Sequence, residues 1–197
     1  VLELRPLTTD RFEDFGRVTA HGDDGEPCWC AFWHTNPGGT TGWKELRARH
    51  PTCPRDTQWS RVVAGFHVGA LAYRGDALVG WLGVAPLPEV FWAWRRVAAL
   101  GPSAGETAGI TCFTLLPTER GHGVAAEVLA ALPGYARARG WRRVEAYPFA
   151  DAARRSNPAL AWAGAEQTYR AAGFGGDEPH WLSRPGFERA IVTLAIP

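Results

Sequence analysis

Apolar and polar residues alternate through LELRPL at residues 2–7, the period of an opening strand with one buried face. The period then changes. In TTDRFEDFGRV, Phe12, Phe15 and Val18 fall at helical spacing, Asp10 is placed to cap, and Glu13 three residues on completes a capping box. Between residues 20 and 54, Gly, Pro, Asn and Thr break the pattern repeatedly, which predicts irregular chain with one short helix over 43–49. A second helical pattern covers 59–64. FHVGALAY and ALVGWLGVA, joined by Arg74-Gly75-Asp76, read as a hairpin. Residues 86–105 read as a loop with a helical turn at FWAWRRVA. AGITCFTLL, bounded by Pro117, is apolar enough for a central buried strand. PTERGHG follows, then the helical pattern VAAEVLAALPGYARARG, ended by Gly140. VEAYP predicts a strand and AEQTYRAAGF a helix stopped at Gly173. WLS and AIVTLAIP predict two closing strands. Pro133-Gly134 lies inside the long helix, where a proline costs about 3 kcal/mol, and predicts a kink or break there.

Bulk properties narrow the reading. The 197 residues suit one domain, and neither repeats nor a linker divide residues 1–197. Net charge is +1, so nothing electrostatic favours nucleic acid or an anionic membrane, and no apolar run is long enough to span a bilayer. VLELRPLTTDRFEDF has no basic segment followed by an apolar one. Four cysteines in a chain of this length are too few for a disulfide scaffold, and the expectation is reduced thiols and a cytoplasmic setting.

Chemistry concentrates at ITCFTLLPTERGHGVAAEVLAAL. A buried strand ends, a loop carries Arg120, Gly121, His122 and Gly123, and a helix starts at Val124. A helix N-terminus exposes unpaired N–H groups and a positive dipole end, and glycines let an anion approach them. Arg120 adds a charge-assisted donor. An ordinary glycine turn would have the same composition, and as a cradle the loop suits two ligands. Gly121-His122-Gly123-Val124-Ala125-Ala126 also fits the dinucleotide fingerprint G-x-G-x-x-A, with Glu145 at the distance of a ribose-binding acid. Three features count against that: Pro117 to Arg120 intervene between strand and glycines, the upstream strands form a hairpin, and little chain remains for further βαβ units.

The alternative ligand is a coenzyme A thioester. Arg120-Gly121-His122-Gly123-Val124-Ala125 matches R/Q-x-x-G-x-G/A opening a helix, and Tyr169-Arg170-Ala171-Ala172-Gly173-Phe174 matches an aromatic followed by Gly-Phe. On these residues, and on the order of its elements, the chain resembles the GCN5-related N-acetyltransferase (GNAT) superfamily. With CWC near the start, CF on the core strand and VEAYP, it looks like an uncharacterised bacterial subgroup. The resemblance implies an α+β fold with one mostly antiparallel sheet of six to seven strands, flanked by helices and splayed around acetyl-CoA. It implies an acyl-CoA-dependent N-acyltransferase with acetyl-CoA as co-substrate and no metal. By position, Phe113, Thr114 and Leu115 would pair with the pantetheine arm, and residues Arg120, Gly121, His122, Gly123, Val124 and Ala125 would hold the pyrophosphate. An N–H near Leu115 would receive the oxyanion. Tyr169 stands at the position of the acid that protonates the leaving thiolate; a phenol with pKa about 10 suits a thiolate near 8.5. Glu145 is the leading carboxylate for a general base, ahead of Glu106 and His122.

The acceptor side falls to the irregular segment and the hairpin, with Trp29, Trp33 and Tyr147 as candidate lining and Phe32, Trp92 and Trp94 as further rings. The expected partner is a small-molecule or peptide amine bound by a monomer or homodimer. A non-catalytic acyl-CoA sensor would keep the loop without needing Tyr169. A zinc or redox module would use Cys28, Cys30, Cys53, Cys112 and His34, but C-x-C has no second matching pair and is not C-x-x-C. The thiols of PCWCAFWH therefore read as small apolar groups among rings. An extended chain would put Cys28 and Cys30 on one side; a helical one would bring Trp29 against Phe32 or Trp33.

Overall fold

The computed structural model describes residues 1–20, 27–35 and 39–197. Strand β1 (Leu2–Pro6) leads through a 3-10 turn into α1 (Phe12–Thr19). Phe12, Phe15 and Val18 are buried as their spacing requires, but Asp10 and Glu13 form no capping box. The helix starts directly out of the 3-10 turn at Thr9–Arg11, which supplies the preceding carbonyls in place of a side-chain cap. After a 3-10 turn at Ala31–His34 come α2 (Gly39–Arg49) and α3 (Cys53–Val63), both longer toward their N-termini than the apolar spacing shows. The hairpin is β2 (Ala70–Arg74) and β3 (Ala77–Pro86). Helix α4 (Trp94–Leu100) precedes the core strand β4 (Thr107–Leu115).

Of the kink or break expected at Pro133, the break does not occur: α5 (Val124–Arg137) runs through it as one helix. Leu129, Leu132, Tyr135 and Ala136 around the proline are all buried, so tertiary packing holds the helix where propensity opposes it. Strand β5 (Arg143–Ala146) is followed by α6 (Asp151–Ser156), a 3-10 segment at Pro158–Ala163 and α7 (Glu166–Ala171). The last pair is β6 (Gly175–Pro179) and β7 (Ala190–Ala195). WLS is not a strand; β6 lies just before it. Every residue of β6 is exposed, so no alternation marks it.

Among the described residues, seven strands form one sheet in the order β1-β2-β3-β4-β5-β7-β6. All pairs are antiparallel except β4–β5. Period-2 alternation divides the core: Ala70 and Ala72 face the cluster under α5 and α7, while Leu71 and Tyr73 face the cluster built on Phe12, Phe15 and Val18. Full burial of a ring such as Phe15 contributes roughly 1.5–3 kcal/mol. The feature that positions the site is the parallel pair. β4 and β5 stay in register only from Thr107↔Arg143 to Ile110↔Ala146. Beyond that point the strands part, and the edge of β4 from Thr111 to Leu115 loses its neighbour. A register shift between Gly83 and Val84, opposite Thr111, bends β4 where the parting begins. Among the described residues no helix is long and apolar enough to cross a membrane.

Candidate active site

The gap beside β4 opens into a cleft of about 680 Å³. Phe113, Thr114 and Leu115 line it from β4, Arg120 and Ala125 from the loop and helix that follow, and Phe32, Trp33 and Trp43 from the 3-10 turn at Ala31–His34 and from α2. Leu160, Trp162 and Tyr169 come from the segment between β5 and β6, and Arg184 and Phe187 from the connection between β6 and β7.

The backbone of β4 presents hydrogen-bonding groups to this cleft. Leu116 donates its N–H to Val79 O on β3 at 3.0 Å. Strand alternation then turns the N–H groups of Phe113 and Leu115 to the other edge, where β5 has departed. Leu115 O confirms the direction, because it accepts from Arg120 Nε at 3.0 Å. The strand edge therefore offers a β-type ladder to an extended ligand carrying amide groups.

The loop after β4 forms the anion end. Gly123 is the residue before α5 at φ +78°, a left-handed conformation that favours glycine, and no side chain caps the helix. A Cβ on Gly121 or Gly123 would meet nothing within 4 Å, so the approach to this backbone is open. Val124 is buried, anchoring the first turn, while Gly121, His122 and Gly123 are exposed at the rim. The residues expected to hold a pyrophosphate thus stand together in one turn, with Arg120 and Ala125 reaching into the cleft.

Tyr169 lines the cleft, with its ring edge-on to Phe174. Its hydroxyl donates to Ala163 O at 3.0 Å. The left-handed Gly164 makes room for the ring, since a Cβ there would come within 2.9 Å of the Tyr169 hydroxyl. Burial, with a smaller contribution from the neighbouring Cys112, pushes the phenol well above its usual value of about 10, so it carries its proton at neutral pH.

Other expected residues stand elsewhere. Glu145 is fully buried and does not line the cleft. Arg96 of α4 grips it, with Nη2 at 2.7 Å from Oε1 and Nε at 3.0 Å from Oε2, while Arg96 Nη1 reaches Glu178 of β6 at 2.8 Å. Tyr147 donates to Glu145 Oε2 at 3.4 Å and packs against Trp33, His180 and Trp181. It lies behind the cleft wall. Trp29 also faces away, stacked on Phe12 and edge-on to Phe15. Trp92 stacks on Phe32 from outside the cleft, and Trp94 is exposed. Of the proposed acceptor rings, Trp33 and Phe32 line the cleft. No carboxylate or imidazole appears in its lining among the described residues.

Several lining residues escaped the sequence pattern. Trp43, Lys44 and Arg47 lie within the helix predicted over 43–49, but nothing in their spacing marks that helix as facing a cleft, and Leu160 and Trp162 belong to a 3-10 segment without helical period. Behind Trp33 and Trp162 lies Arg189, whose guanidinium stands over both rings at 5.3 and 5.1 Å and over Phe149 at 4.3 Å. It donates to Tyr147 O at 2.6 Å, and burial lowers its pKa to about 9.

The stretch PCWC is neither extended nor helical. Trp29 and Cys30 are both left-handed, at φ +51° and +46°, and are the non-glycine residues with positive φ among those described. Such a conformation costs about 1–2 kcal/mol per residue. The buried Gln58 holds it by donating Nε2 to Trp29 O at 3.0 Å and Cys30 O at 3.2 Å. The turn delivers Cys30 Sγ to 2.9 Å from Cys112 Sγ on β4.

Comparison with known proteins agrees with this geometry. The profile of the Acetyltransferase (GNAT) family matches residues 32–174. No curated protein sequence matches the chain. Among solved structures, an aminoglycoside acetyltransferase AAC(6')-Ib in complex with coenzyme A is similar at 13% identity and TM-score 0.57, covering 99% of this chain and 95% of that one. An N-acetyltransferase from Staphylococcus aureus Mu50 is 12% identical at TM-score 0.56, covering 100% and 99%. A GNAT-family acetyltransferase from Bacillus cereus ATCC 10987 is 9% identical at TM-score 0.54, also covering 100% and 99%. The splayed sheet, the glycine turn at the head of α5 and the profile match over most of the chain together make it a member of the GNAT acetyltransferase family.

Proposed function

We propose that the protein is an N-acetyltransferase that moves an acetyl group from acetyl-CoA to a primary amine by direct attack. The observation that carries this is the unpaired edge of β4, which leads from the glycine turn at Arg120–Ala125 to Tyr169 along one continuous cleft. The fit is chemical as well as spatial. Phe113 and Leu115 offer edge N–H groups to the pantetheine amides, and the open turn before α5 offers N–H groups and a positive dipole end to the pyrophosphate. An edge N–H at Phe113 or Leu115 stabilises the oxyanion formed when the amine attacks the thioester carbonyl. Tyr169, swinging its O–H from Ala163 O toward the leaving sulfur, supplies the proton that the thiolate takes up. The attacking amine releases its own proton to solvent, since no carboxylate lines the cleft among the described residues.

The lining also bears on the acceptor. Trp33, Trp43, Trp162 and Phe187 are rings, and Lys44 and Arg184 bring positive charge, with Arg189 buried behind the wall. This favours an amine on an aromatic or apolar body and disfavours a polycation of the aminoglycoside kind. The test is release of free coenzyme A thiol with a panel of amines. An arylalkylamine or apolar amino compound is expected to release thiol, and kanamycin is not. Tight acetyl-CoA binding with no release from any primary amine would favour the acyl-CoA sensor instead.

A further inference from the structure

The transfer chemistry above leaves the CWC turn and its contact with β4 without a role. We infer that Cys30 and Cys112 are a reversible redox pair in the cleft wall, oxidised to an intramolecular disulfide by a peroxide.

Cys30 and Cys112 come from segments 82 residues apart, yet their sulfurs stand at 2.9 Å. Both line the cleft, so an oxidant reaches them through the opening used by the substrates. The approach is built by the left-handed Trp29-Cys30 turn, and Gln58 fixes that turn through both carbonyls. An extended or helical CWC segment would aim Cys30 elsewhere.

The pair is chemically asymmetric. Cys30 directs its S–H to Cys112 Sγ, and this contact, reinforced by Cys28 and burial, holds Cys30 in the thiol form. Cys112 Sγ also has the Thr114 hydroxyl at 3.5 Å. The Cys112 sulfur is the one that accepts the Cys30 S–H, and this asymmetry makes Cys112 the nucleophile and Cys30 the resolving thiol. Its thiolate attacks one peroxide oxygen, the O–O bond breaks, and hydroxide leaves, giving Cys112 sulfenic acid. Cys30 then gives up its proton and attacks that sulfur, the S–O bond breaks, and water leaves as the S–S bond forms. The two sulfurs close from 2.9 Å to about 2.05 Å, a shift within the reach of side-chain rotation. A thiol reductant reverses the step by exchange. Cys53 stands apart beside Thr57, and Cys28 contributes its sulfur to the Cys30 N–H.

The test uses the full chain, treated with a slight excess of hydrogen peroxide. Titratable thiols should fall from four to two and return to four with dithiothreitol. Peptide mapping should find the Cys30–Cys112 crosslink. Cys30→Ser should instead leave a dimedone-reactive Cys112, and Cys112→Ser should leave Cys30 unmodified. A crosslink between Cys28 and Cys30, a crosslink between two chains, or no loss of thiols would overturn the inference. The wild-type mapping decides the matter even if a serine variant fails to fold.

Discussion

Tyr169 carries the heaviest chemical assignment of any single residue. Its phenol is buried in the cleft wall, its proton rests on Ala163 O, and burial holds its pKa well above that of a free phenol. Tyr169→Phe keeps the ring against Phe174 and removes only the proton. Turnover should fall by about a hundredfold or more, with acetyl-CoA affinity nearly unchanged. Stopped-time thiol release and calorimetry on the same variant check the two halves. Because the phenol stays protonated up to pH 10 and beyond, the rate should show no alkaline decline from this group below pH 10. Full activity in Tyr169→Phe would remove the residue from this role.

At the scale of elements, the Arg96–Glu145–Glu178 network joins α4, β5 and β6 outside the lining of the cleft. Removing one partner of a buried ion pair costs roughly 3 kcal/mol or more. Glu145→Gln should therefore lower the denaturation midpoint while the folded protein keeps its turnover. Unchanged stability with collapsed turnover would make Glu145 the base. Elements with a strong period were legible in the chain: β1, the hairpin, β4 and the buried face of α1 follow from apolar spacing alone. The glycine turn and Tyr169 were legible through their motifs. Elements stabilised by tertiary contact were not. β6 is exposed throughout and pairs only with β7, and α5 passes through Pro133 because its neighbours are packed on both sides. The fate of Glu145 could not be read either, since Arg96 stands 49 residues away in the chain. The same holds for Trp29 and Cys30, whose left-handed turn depends on Gln58.

The whole molecule carries a pH signature. Burial, with Arg61, Arg139 and Arg189 nearby, lowers His34 to about 3, His67 to about 4 and His180 to about 2, from an ordinary value of 6.5. The folded state keeps these imidazoles neutral, while the unfolded chain takes up protons as pH falls through 6.5. The unfolded state then binds more protons, so stability is complete above pH 6.5 and declines below it. Each histidine contributes a slope of about 1.4 kcal/mol per pH unit until its folded pKa is reached. Urea midpoints measured from pH 7.5 to 4.5 should fall steadily below 6.5, and a flat profile would mean that these histidines are exposed to water.

The central claim is that the parted strands and the glycine turn form a coenzyme A thioester site. Isothermal calorimetry with acetyl-CoA and NAD on the same protein tests it most directly. Binding of one acetyl-CoA per chain, with no heat from NAD, is the predicted result. Tight NAD binding without acetyl-CoA binding would contradict it.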